Sequence, residues 1–211
     1  MLADRQTLER FLDEIYSGAP CAISVKTRLG IENPEEFEPI MELYNRYPMT
    51  ELIIHPRVRK DFYRHPVRTA YFDRAAETAV MPLSYNGSIV TVSDYEACTL
   101  RYPQLRAVMI GQGLVSDPFL AARIKQGAGS DVKILQAFHD TLLETYAEQF
   151  GSRNNAAKRM KELWFYLIRL FADSEKYGKK IMKSKTAEEY ELAVSAVFRD
   201  LPLLEASTGG W

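Results

Sequence analysis

Up to about residue 128, short apolar runs alternate with amphipathic stretches. The runs fall at residues 22–25 (AISV), 51–54 (ELII), 79–83 (AVMPL) and 107–110 (AVMI). They are short, aliphatic or β-branched, and bounded by turn residues, the pattern of buried parallel strands. Between them, residues 35–47, 67–77, 93–101 and 117–126 read as helices, and residues 4–16 as an opening helix. Ser93 and Asp117 are expected N-caps, with Pro118 suited to a first turn. The result is a helix followed by four βα units, which predicts a parallel sheet with helices outside it.

From about residue 131 the strand pattern stops. Residues 134–150, 154–172 and 187–198 carry apolar positions at helical spacing, Gly151 marks a stop, and residues 176–185 read as a basic connector. The tail ASTGGW is expected to fray. The expected class is therefore α/β: half of a TIM barrel, about four parallel strands with helices, over residues 1–129, followed by an all-α domain over residues 130–211. A full barrel takes about 250 residues. The first strand comes only after a helix, so Met1 reads as an internal position of a longer ancestral domain.

Composition narrows the function classes. Hydrophobic residues make up 46% of the 211 and charged residues 26%, values of a globular protein with a core. No apolar run approaches the roughly 18 residues of a membrane span, and the N-terminus lacks secretory features, so the expectation is a cytoplasmic protein without a membrane partner. Two cysteines, Cys21 and Cys98, and three dispersed histidines predict neither a disulfide framework nor a metal site. Both cysteines read as buried small hydrophobes. A net charge of −1 argues against indiscriminate coating of nucleic acid. Residues 153–185, however, hold ten basic and three acidic residues, a local charge of +7. Arg153, Lys158, Arg159, Lys161, Lys179 and Lys180 are the candidate phosphate-tracking cations of that stretch. Trp164, Phe165 and Tyr166 interleave with them and read mostly as core.

The chemistry lies at the C-terminal ends of the four strands, where barrels place active sites. Lys26 follows the first run, His55 the second, Asn86 and Gly87 the third, and Gly111 and Gly113 the fourth. Glycine loops expose backbone N–H groups that can hold a phosphate, and a cation with an imidazole can face the polar edge of an attached ring. Singly, each residue has a bland reading: a solvated lysine, a structural histidine, an Asn-Gly turn. The set in register over four strand ends carries the argument.

The segments SVKTRLG, LIIHPRV, YNGSI with TVSDYE, and VMIGQGLVSDPF resemble the second half of the tRNA-dihydrouridine synthases, in the same order and with similar spacing. FHDTLLETYAEQFG with AAKRMKELWFYL resembles that family's helical domain. The resemblance implies a barrel that binds flavin mononucleotide (FMN), a helical tRNA-binding domain, NADPH as reductant and reduction of uridine to 5,6-dihydrouridine. It implies that Lys26 and His55 contact the flavin, and that Asn86, Gly87, Gly111, Gln112 and Gly113 embrace its phosphate. Arg57 is assigned more loosely, to flavin or RNA.

Two departures stand out. The family's phosphate loop reads Gly-Arg-Gly, whereas this chain has Gln112 in the middle, losing one charge-assisted contact. The family's catalytic cysteine lies in an Asn-x-Gly-Cys-Pro segment that this sequence lacks, so no catalytic residue is assigned here and that cysteine is expected upstream of Met1. Alone, the chain is expected to be inactive. A homodimer or a complementing N-terminal fragment is the expected way to cover open sheet edges. The rival readings are a non-catalytic RNA-binding or assembly protein derived from the family, and another phosphate-binding barrel acting on a small molecule.

Overall fold

A computed structural model describes residues 4–62, 65–127 and 129–207. The described residues form two compact units, residues 4–89 with 94–110, and residues 90–93 with 111–207. The first begins with helix α1 (Arg5–Gly18), capped by Asp4, whose carboxylate accepts from Gln6 N at 3.1 Å. Then come β1 (Ser24–Gly30), α2 (Phe37–Tyr44), β2 (Glu51–Val58), α3 (Thr69–Thr78), β3 (Leu83–Tyr85), α4 (Val92–Arg101) and β4 (Ala107–Val108). All pairings are parallel and the strand order is β1-β2-β3-β4.

That order decides the architecture. Each crossover leads to the next strand without reversal, and crossovers are right-handed, so successive helices stack on one face of the sheet. This is the singly wound arrangement of a barrel segment, not the doubly wound fold with helices on both faces. The core agrees: Leu52, Ile54, Leu83 and Tyr85 pack with Phe72, Ala75 and Tyr102. Thr27 belongs to the same side, where its hydroxyl accepts from Tyr44 OH at 3.0 Å. Because side chains alternate along a strand, Lys26, Arg28, Ile53, His55, Arg57 and Ser84 belong to the opposite face.

The second unit holds α5 (Gln112–Ser116), α6 (Leu120–Gln126), α7 (Val132–Phe150), α8 (Arg153–Leu167), α9 (Glu175–Lys183) and α10 (Ala187–Asp200). Caps explain the boundaries. Asp131 accepts from Lys133 N and Ile134 N to start α7, and Gly151, at φ 57°, ends it in the left-handed region that favours glycine. Ser152 and Thr186 cap α8 and α10. Ala156 and Ala157 of α8 are buried in one core cluster with Leu135, Leu143, Met160, Ile181 and Val194. A buried network completes that core: Trp164 Nε1 donates to Tyr190 OH at 2.8 Å, and His139 Nε2 lies 2.7 Å from the same oxygen.

Several expected elements shift. The first two strands extend past their apolar runs, through residues 30 and 58, because polar residues on one face do not interrupt a strand. The third strand begins only at Leu83, after Pro82, which cannot donate to a ladder. Ser93 lies inside α4, and the helix expected at residues 117–126 begins only at Leu120, as α6, where Asp117 accepts from Phe119 N at 3.0 Å, while α5 forms before it over residues 112–116. The expected connector at 176–185 is largely helix α9, whose Ile181 is fully buried beneath a lysine-covered surface. Cys98 is buried as expected, but Cys21 is exposed, because it precedes the sheet. Trp164 is core, whereas Phe165 is 54% exposed on the outer side of α8. Of the tail expected to fray, residues 208–211 lie outside the described residues.

Replacing Tyr190 by Phe leaves two buried polar groups without their shared partner, so urea unfolding is expected to show a loss of about 2 kcal/mol. A loss below about 0.5 kcal/mol would show that the network does not hold these helices together.

Candidate functional site

The face of the sheet opposite the helices is the candidate site within the first unit. Parallel strands are normally apolar on both faces, but this one carries Lys26, Arg28, His55 and Arg57, together with Glu51, which accepts from Ser84 Oγ. Lys26, Ile53, Ser84 and Ala107 lie side by side across the four strands, and Arg28 pairs in register with His55. No carboxylate pairs with Lys26 among the described residues. Partial desolvation, and then the charge of Arg28, hold its ammonium below the ordinary lysine value. Arg28 donates to Val58 O at 3.0 Å, across the ends of β1 and β2.

Arg57 organises the strand ends. Its side chain is buried, and each guanidinium nitrogen has a protein acceptor. Nε donates to His65 O at 2.7 Å, Nη1 lies 3.1 Å from His55 Nε2, and Nη2 donates to Ser88 Oγ at 2.9 Å. A guanidinium only donates, so His55 Nε2 accepts and the ring proton sits on Nδ1. Burial, then the positive charges of Arg28, Arg57 and Lys26, hold the His55 pKa down to about 3. The imidazole is therefore neutral, with a defined tautomer, at any physiological pH.

The loop after β2 is pinned independently. Asp61, 4% exposed, accepts from Val58 N at 2.9 Å and from both terminal nitrogens of Arg68. The Arg68 guanidinium holds that carboxyl below the usual range. Asp61 is thus neutralised by its own partner and offsets little of the positive field of the face.

The remaining expected residues divide. Asn86 ties the end of β3 to its neighbours, donating from Nδ2 to Met109 O at 2.8 Å and from its backbone to Ile54 O at 3.0 Å. Gly87 has a packing reason to be glycine: an added Cβ would stand 2.8 Å from Val67 Cγ1 and 3.4 Å from Pro56 Cδ. Gly111, Gln112 and Gly113 open the second unit. A Cβ on Gly111 would meet open space, so the protein's own packing does not demand glycine there. Gly113 is buried, and its carbonyl accepts from Ser116 Oγ and Asp117 N at 3.1 and 2.9 Å. Arg28, Asp61, Arg68 and Ser88 were not singled out in the sequence. Alternation from Lys26 and His55 would have found Arg28 had the first strand been extended past residue 25.

The helical cations are more committed than the local charge suggests. Arg153 makes a two-point pair with Glu191, at 2.6 and 3.1 Å, and another with Glu144 at 2.7 Å. Both carboxylates lie outside residues 153–185. Arg159 pairs with Glu162, Lys179 with Glu175, and Lys161 donates to Ser184 O. Lys158 is exposed, and Lys180 Nζ stands 5.8 Å from the centre of the Tyr177 ring.

A family model described as Dihydrouridine synthase (Dus) matches residues 1–201. The chain belongs to this family. Among curated relatives, the tRNA-dihydrouridine(16) synthase of Cupriavidus necator is 32% identical over 136 residues, covering 62% of this chain and 42% of the relative. That of Shewanella oneidensis is 30% identical over 169 residues, 79% of this chain and 53% of the relative. That of Pseudomonas putida is 27% identical over 182 residues, 82% of this chain and 56% of the relative. The chain spans about half the length of the curated relatives it matches. No helix among the described residues is long and apolar enough to cross a membrane.

A depressed histidine pKa means the unfolded chain takes up a proton that the folded chain refuses, so stability is full above about 6.5 and falls as pH drops toward 3. His139 is shifted in the same direction, by burial, and contributes in parallel. A comparison with His55→Gln isolates the first term. Between pH 7 and 5, wild type is expected to lose about 1–2 kcal/mol more than the variant in urea titrations. Equal losses would place a charged imidazole at position 55.

Proposed function

We propose that this chain carries the flavin-contacting strands and the RNA-contacting helices of an enzyme that reduces uridine in tRNA to 5,6-dihydrouridine. Position 16, named for the relatives, is the expected target. The observation that carries the reading is the cationic sheet face, with its neutral histidine, in a chain of the dihydrouridine synthase family.

The donor set fits FMN. Lys26 and Arg28 supply positive charge, His55 supplies an Nδ1–H donor, and the nearby Asp61 carboxylate is already paired with Arg68. An anionic, phosphorylated ring system suits such a face electrostatically. Bound there, FMN would supply hydride equivalents for the uracil ring, drawn ultimately from NADPH. Lys26 stabilises negative charge, His55 donates a hydrogen bond from Nδ1, and Arg57 positions His55. Asn86 and Gly87 shape the end of β3, and Gly111, Gln112 and Gly113 are assigned to the phosphate on the family resemblance.

The chain's own thiols do not suit proton delivery to C5 of the uracil. Burial pushes Cys98 up to about 11, and Cys21 precedes β1, at the opposite strand ends from His55 and Arg57. Within the sheet, β1 and β4 each have a single neighbour among the described residues. A complementing fragment or a second copy that pairs with these edges is the proposed protein partner. For tRNA, Lys158 and Lys180 are the proposed phosphate contacts, while Arg153, Arg159 and Lys179 serve mainly their ion pairs.

Two titrations test this. Flavin fluorescence is expected to report FMN binding that weakens about tenfold, or about 1.4 kcal/mol, in Lys26→Ala. Unchanged FMN affinity in both Lys26→Ala and His55→Ala would overturn the flavin assignment, and undiminished tRNA binding without flavin binding would favour a non-catalytic RNA-binding protein. Lys158→Ala and Lys180→Ala are each expected to reduce the salt dependence of tRNA binding by about one counterion. Arg153→Ala should cost stability without changing that slope.

A further inference from the structure

Three non-glycine residues among the described ones have positive φ, and two of them stand at the strand ends of the candidate site: Phe62 at 43° and Ser88 at 48°. A bulky side chain in the left-handed region is strained, and such strain persists only where its surroundings over-determine it. At Phe62 they do. On one side, Asp61 is fixed by Val58 N and by Arg68, and Lys60 N donates to Ile31 O at 3.2 Å. On the other, Arg57 holds His65 O at 2.7 Å and Arg68 N donates to Pro56 O at 2.8 Å. The ring is not used in the core: Phe62 is 67% exposed. Two basic residues, Arg59 and Lys60, precede it on the surface, the second paired with Glu32.

We infer that Phe62 is a stacking platform for an unpaired nucleobase of the RNA, presented at the rim of the cationic face. The inference rests on the tRNA reading above and assigns a base-contacting residue to it. An exposed aromatic following cations in the chain is the combination that single-stranded RNA segments use. The charges track phosphates, and the ring accepts a base face, which every base has. A glycine at position 62 would adopt the same backbone without strain, so folding alone gives no reason for a phenylalanine. Its presence against the backbone preference points to a use for the ring.

The opposed effects on folding and binding make the test specific. The full chain is titrated with an unmodified tRNA transcript by fluorescence anisotropy, and thermal unfolding is followed in parallel, for wild type, Phe62→Gly, Phe62→Leu and Phe62→Trp. Phe62→Gly is expected to unfold at the same or a higher temperature than wild type while binding tRNA about tenfold more weakly, within the range of one lost base stack. Phe62→Leu keeps an apolar side chain but no ring face and is expected to lose affinity similarly, whereas Phe62→Trp retains it. A wild-type chain that binds no tRNA overturns the tRNA reading and this inference together. Wild-type binding matched by Phe62→Gly or Phe62→Leu overturns the inference alone, as does a loss of affinity that merely follows a loss of thermal stability. A change in oligomeric state on Phe62→Gly at constant tRNA affinity makes the ring a protein contact and also overturns it.

Discussion

One buried guanidinium holds the candidate site in shape. Arg57 spends its three nitrogens on His55, on the backbone at His65 and on Ser88, and so joins a strand to the loops that follow β2 and β3. A buried cation is costly unless its hydrogen bonds are met, and these are met with good geometry. The same contacts fix what His55 can do. With Nε2 accepting from a permanent cation, the ring is locked neutral and offers its proton from Nδ1. Arg57 thus holds His55, the backbone at His65 and Ser88 together.

The charge of the site follows from topology. A sheet whose strands follow one another in order receives all its helices on one face. Apolar residues are needed there, and Leu52, Ile54, Leu83 and Tyr85 supply them. The other face is released from that demand and can carry Lys26, Arg28 and His55. In a sheet covered by helices on both sides these residues would be buried among hydrocarbons. The polarity that shortened the expected strands is thus the feature that makes the site.

Much of this was legible in the sequence. Four strands, the helices between them, the helical second part and the family are all carried by short apolar runs and by the motifs around Lys26, His55, Asn86 and Gly111. Strand ends were not, because alternation between an apolar and a charged face looks like a boundary when only apolar runs are counted. Helix α9 was read as a connector, since four lysines in EKYGKKIMK hide the single buried Ile181. The sparing of Lys158 and Lys180 among the helical cations was also beyond sequence. Glu144 and Glu191 reach Arg153 from other helices, and a running charge cannot see partners brought together by folding.

The tautomer and charge of His55 test the account most directly. Long-range nitrogen–proton correlation spectra of the imidazole, recorded from pH 8 to 5, should show a neutral ring throughout, with the proton on Nδ1 and an acceptor-type Nε2. A ring that titrates near 6.5, or one protonated on Nε2, would mean that Arg57 does not hold it, and the site as described would not exist.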